Sequence, residues 1–99
     1  LPTALCAASA SMLMGAFAAI RDYGLRVPED ISLIGIDEVD MAVYTTPPLS
    51  IVATSCEAAA KETVLRLIEL VEQGKASQSD YVIPDVDLYL RKSVRQIQD

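Results

Sequence analysis

The sequence has no histidine, and its eight Lys and Arg residues are outnumbered by fourteen Asp and Glu. Without histidine the commonest general base is missing, and no Gly-rich phosphate loop is present. Cys56 falls near the start of an expected helix, where a thiol can ionise more readily. No histidine exists to pair with it as a base, so nucleophilic catalysis lacks its second member. Cys6 and Cys56 show no metal-ligand spacing and read as small core or near-surface thiols in a reducing cytosol. The acids of Asp37-Glu38-Val39-Asp40 diverge at a strand tip, and no further ligand group accompanies them. The expectation is therefore a protein that is not an enzyme and uses no metal or cofactor. A net charge of −6, with only Arg91 and Lys92 adjacent among the basic residues, excludes a phosphate-backbone surface on this chain. No apolar run reaches membrane-spanning length and no signal peptide opens the chain. With no initiating Met, the chain reads as beginning mid-protein, in the cytoplasm.

What is present is apolar and regularly patterned, with hydrophobic residues at 52%. Ile31, Leu33, Ile34 and Ile36 lie close together, which predicts a strand buried on both faces, the parallel-sheet type. Pro28 cannot continue a preceding helix and pushes Val27 towards extended geometry. Ligand crevices in open α/β sheets lie beyond the carboxyl ends of the strands, and Asp37 stands at such an end. Residues 4–8 predict a second buried strand. Ser9 or Ser11 is placed to cap the helix that follows, which should end near Tyr23 at Gly24.

That helix has no charge from Met12 to Ile20. Leu13, Ala16, Phe17 and Ile20 make one apolar stripe, and Met12, Gly15, Ala19 and Tyr23 another. A helix apolar all round needs two neighbours: the sheet, and either another subunit or a second helix of the same protein. Further on, residues 41–44 predict a helical turn, Pro47-Pro48 an extended segment, and residues 49–52 a strand or an inter-domain crossing. Thr54 with Glu57 predicts a capping box. The helix it opens carries Ala60, Val64, Leu67, Ile68 and Val71 on an apolar face, with Lys61, Glu62, Arg66 and Glu69 on a wet one, and stops at Gly74. A polar loop over 75–79 leads to a short strand at Tyr81-Val82-Ile83, broken by Pro84. Val86, Leu88 and Leu90 then alternate with polar neighbours, predicting a strand with one buried face, and residues 96–99 read as a loose tail. Alternating strands and helices predict an α/β fold built on a parallel sheet flanked by helices.

Several of these segments carry a joint resemblance. Pro2-Thr3-Ala4, Ala7-Ala8 and Met14-Gly15-Ala16 match P-T-A-x-x-A-A-N-D-x-x-A-x-G-A. Gly24 to Ser32 matches G-x-x-V-P-x-D-[IV]-S, and Gly35-Ile36-Asp37-Glu38 matches G-[FY]-D-[DE]. Thr46-Pro47-Pro48-Leu49-Ser50 matches T-P-P-L-T, and Leu90-Arg91-Lys92-Ser93 matches V-R-x-S. In this order and spacing the chain resembles the C-terminal end of the LacI/GalR family of transcriptional regulators. The resemblance implies an incomplete periplasmic-binding-protein-like (type I) domain, in which two α/β lobes close on a small molecule, often a sugar or nucleobase. It implies that residues 1–53 belong to the C-terminal lobe, 54–84 to the N-terminal lobe, and 85–99 to a returning C-terminal-lobe strand and tail. It also implies a homodimer surface on the helix over 11–23 and on 41–44, through Leu13, Ala16, Phe17, Ile20, Met41 and Tyr44. Operator DNA would be bound only by a helix-turn-helix outside these residues.

Two departures from the family pattern fall at the expected ligand tip. Its Asn-Asp after the first strand is Ser9-Ala10, and its aromatic before Asp37 is Ile36. Asp37 reads as a ligand contact, since a carboxylate accepts two directional hydrogen bonds from vicinal hydroxyls or paired N–H groups. Capping of the next helical turn is the alternative. Ser9 reads first as a helix cap and second as a ligand contact, while Glu38 and Asp40 read as solvated. The functional expectation is an effector-sensing and dimerising part of a repressor. A periplasmic solute-binding protein, or a dimerisation-only piece that senses nothing, remain as alternatives.

Overall fold

The computed structural model describes residues 1–37, 40–54, 56–75 and 86–98. The elements run β1 (Ala4–Ala7), α1 (Ala10–Asp22), β2 (Ser32–Ile36), a 3₁₀ turn (Asp40–Val43), β3 (Ser50–Thr54), α2 (Cys56–Gln73) and β4 (Val86–Tyr89). The strands form one sheet in the order β1-β2-β3-β4, with β1·β2 and β2·β3 parallel. The chain divides into two compact units: Leu1–Ala53 with Asp87–Asp99, and Thr54–Val86. The predicted α/β class and parallel sheet are what forms. The short strand predicted at 81–83 and Pro84 lie outside the described residues.

In the first unit, α1 packs on the sheet through Leu13, Phe17 and Ile20, spaced four and three apart so that they share one face. Leu13 sits against Gly35 so closely that a Cβ there would be 2.5 Å from a Leu13 methyl. Side chains alternate along a strand, so Leu33 and Gly35 face α1, as do the register partners of Gly35, Ala7 and Ile51. Leu13, Leu33, Leu49 and Ile51 are fully buried, each worth about 1.5–3 kcal/mol relative to exposure. The helix ends as predicted. Gly24 takes φ +77°, its N–H donates to Arg21 O, and the N–H of Leu25 donates to Ile20 O, a Schellman closure.

Four expectations about burial are corrected. Strand β1 is not buried: only Ala7 is, because β1 lies at the sheet edge. Strand β2 is covered fully on one face only; opposite α1, Ile34 is half-buried and Ile36 is 41% exposed. Strand β4 has no buried face, its residues being exposed throughout, since it forms the other sheet edge. In the second unit, α2 runs as predicted to Gly74, at φ +75°, yet its apolar face is bare. Val64, Leu67, Ile68 and Val71 are exposed, whereas Glu62, Arg66 and Glu69 are half-buried. Within this unit, nothing among the described residues covers that apolar face.

Candidate functional site

The carboxyl ends of β1 and β2 place Ser9 and Asp37 together. The parallel register pairs Ala7 with Gly35, and Ser9 and Asp37 each lie two residues further along neighbouring strands. Such strands run about 4.8 Å apart, so both side chains rise from one end of the sheet. Ser9 is the N-cap of α1, extended at φ −150°, and its hydroxyl accepts from the Met12 N–H at 3.3 Å. The first reading of Ser9 is therefore its observed role. The start of α1 sits at this tip with no acidic residue in its first turn, leaving the positive end of the helix dipole uncompensated by its own side chains.

Asp37 continues the β2·β3 ladder by one residue, donating its N–H to Val52 O at 2.7 Å. Its φ is +75°, a left-handed conformation that Asp tolerates better than most side chains. The carboxylate is exposed and has no hydrogen-bond partner among the described residues. Asp40 is exposed, and Glu38 lies outside the described residues. The turn itself is pinned by Ala42, which is fully buried and accepts from the Leu49 N–H at 2.8 Å. Chemically the tip offers a free carboxylate beside a capped helix start, a place that can accept hydrogens from a polar ligand. Among the described residues no group of metal-ligating side chains forms.

The expected dimer residues separate into two sets. Leu13, Phe17 and Ile20 are core residues, at 0%, 5% and 8% exposure, so most of their area is spent inside this unit. That stripe faces the sheet, where Gly35 leaves room for Leu13; the stripe left outside carries Met12 and Tyr23, at 62% and 86% exposure. Ala16 is half-buried, while Met41 and Tyr44 are exposed. Beside Tyr44 lies an open groove of 610 Å³ lined by Met14, Phe17, Ala18, Arg21, Thr45 and Thr46. The Arg21 guanidinium lies 5.6 Å from the Phe17 ring centre, so one end of this groove is cationic.

Sequence reasoning missed three structural serines, Ser32, Ser50 and Ser93, all buried. The signal available was a hydroxyl in each of two otherwise apolar strands, and the Ser of the Leu90-Arg91-Lys92-Ser93 motif.

A family model described as periplasmic binding protein-like domain matches residues 1–94. Among curated proteins, the HTH-type transcriptional repressor PurR of Haemophilus influenzae (strain PittEE) is 35% identical over 99 residues, covering 98% of this chain and 30% of that protein. Among solved structures, the Lac repressor dimer bound to operator and the anti-inducer ONPF matches with a TM-score of 0.80 and 35% identity, over 95% of this chain and 32% of that one. A LacI family transcriptional regulator from Enterococcus faecalis V583 with bound ribose matches with a TM-score of 0.77 and 27% identity, over 96% of this chain and 35% of that one. The chain thus spans about a third of the length of the proteins it matches. These relatives are named as regulators and repressors, not as enzymes.

Proposed function

The chain belongs to the periplasmic binding protein-like domain family, and from that premise we propose that it is the effector-sensing and dimerising portion of a cytoplasmic DNA-binding repressor. The observation that carries this reading is the pairing of Ser9 and a free Asp37 carboxylate at the carboxyl ends of adjacent parallel strands, the place where open α/β sheets take ligands. The ligand is a small polyol or base, a sugar or nucleobase, presenting two hydrogens to Asp37. Ribose in one similar regulator supports the sugar class. Ser9 contributes one hydroxyl already engaged in capping, so Asp37 carries most of the recognition.

Thr54–Val86 belongs to the opposing N-terminal lobe. This is supported by its separation as a compact unit and by the bare apolar face of α2, which calls for partners beyond the described residues. Dimerisation uses Met41, Tyr44 and the flank of α1 that lines the groove at Met14, Ala18 and Arg21. Effector binding shifts lobe closure, and with it the affinity for operator made by a part of the protein outside these residues.

The test is operator binding by the full-length protein, with and without members of a sugar and purine panel. One compound should change DNA affinity by about 5–150-fold, the usual range of allosteric coupling. If none shifts it, the sensing reading fails.

A further inference from the structure

The buried polar side chains among the described residues are all serines, and all three serve one segment. The N–H of Arg91 donates to Ser50 Oγ at 2.9 Å, and the N–H of Arg95 donates to Ser32 Oγ at 3.1 Å. Ser93 Oγ accepts from the Ser50 N–H at 2.8 Å and donates to Leu33 O, while Ser93 O accepts from the Leu33 N–H at 2.8 Å. The Lys92 N–H donates to Pro48 O, and the guanidinium groups of Arg91 and Arg95 donate to Leu49 O and Pro28 O. Residues 91–95 thus form neither helix nor strand, yet they are bonded across the amino ends of both β2 and β3. The Ser93 hydroxyl lies between Leu33 O and Ser50 N, just before the β2·β3 ladder begins at Ile34 and Ser50. It relays a bond between two strands that do not pair directly there.

We infer that residues 91–95 are a strap that opens and closes as one cooperative unit, separately from the α1–sheet core. Two features carry this. The bonds interlock, so losing Ser93 strands a buried carbonyl and a buried N–H together. The segment also holds little apolar surface: Ser93 is its fully buried member, while Val94 is 37% exposed. Opening it therefore breaks hydrogen bonds but exposes little of the core that holds α1 in place. At its entry, the Arg91 guanidinium lies 5.6 Å from the Tyr89 ring centre, which ties the strap to β4.

The test is amide hydrogen exchange of the whole chain under low denaturant, with wild type, Ser93→Ala and Ser32→Ala. In the wild type, the amides of Leu33, Ser50, Arg91 and Arg95 should share one opening that precedes those of Phe17 and Ile20 in α1. Ser93→Ala should speed the first group by roughly tenfold or more and leave the second within about twofold. Ser32→Ala touches only the Arg95 bond and keeps the test alive if Ser93→Ala fails to fold. A cooperative strap requires it to speed all four amides; a response confined to Arg95 overturns the proposal. So does equal acceleration of α1 and strap amides by Ser93→Ala. The measurement uses no effector or DNA, so a failed sensing reading leaves its outcome intact.

Discussion

Gly35 is the residue on which the first unit closes. Leu13 is fully buried and fills the space a Cβ would need, so the clash cannot be relieved by turning a methyl into solvent. Gly35→Ala should therefore cost about 1–3 kcal/mol, the usual penalty of overpacking, read as a lower urea midpoint. Asp30 is governed by charge instead. The Arg26 guanidinium donates to both of its carboxylate oxygens, at 3.0 Å each, and the Arg26 backbone N–H donates at 2.7 Å. Hydrogen bonding by Arg26, first through its side chain and then its backbone, holds the Asp30 carboxyl below its ordinary value of 3.8. A depressed folded value means the stabilisation is present above that ordinary value and is lost as pH falls through the lower one. Asp30→Ala should thus lower the melting temperature at neutral pH and flatten its decline below about pH 4; an unchanged acid limb would count against the assignment.

At the scale of elements, the two apolar stripes of α1 have different environments, one packed on the sheet and one exposed. Leu13→Ala should cost about 2–5 kcal/mol, as buried Leu truncations do. Met12→Lys, on the exposed stripe, should stay within about 0.5 kcal/mol; chemical denaturation separates them. The sequence showed that α1 is apolar all round but not which stripe meets the sheet. That choice depended on Gly35 leaving room for Leu13, a contact between residues far apart in the chain. Helix limits were readable because Ser9, Gly24 and Gly74 act locally. Burial of β1, β4 and α2 was not, because an apolar pattern states what a segment wants to cover, not what lies beside it. The same limit hid the strap: the bonds of Ser93 to Leu33 and Ser50 are set by tertiary placement alone.

At the scale of the whole molecule, two uncovered surfaces frame the functional reading. The groove beside Tyr44, with Arg21 at one end, is where a second copy is proposed to dock. Tyr44→Asp should weaken self-association by roughly tenfold or more, since a charge introduced into a desolvated contact is costly; sedimentation measures it, and an unchanged association constant would move the interface elsewhere. The tip at Asp37 was visible in the sequence as a carboxylate ending an apolar strand. Its left-handed backbone and its lack of a partner among the described residues emerged only in three dimensions. The most direct test of the sensing claim is calorimetric titration of the full-length protein and its Asp37→Ala variant with a panel of sugars and purines. The account predicts that one compound binds the wild type and that its affinity falls by roughly 10–100-fold in the variant, the loss expected for hydrogen bonds to a charged group. Binding undiminished in the variant, or no binding across the panel, would contradict it.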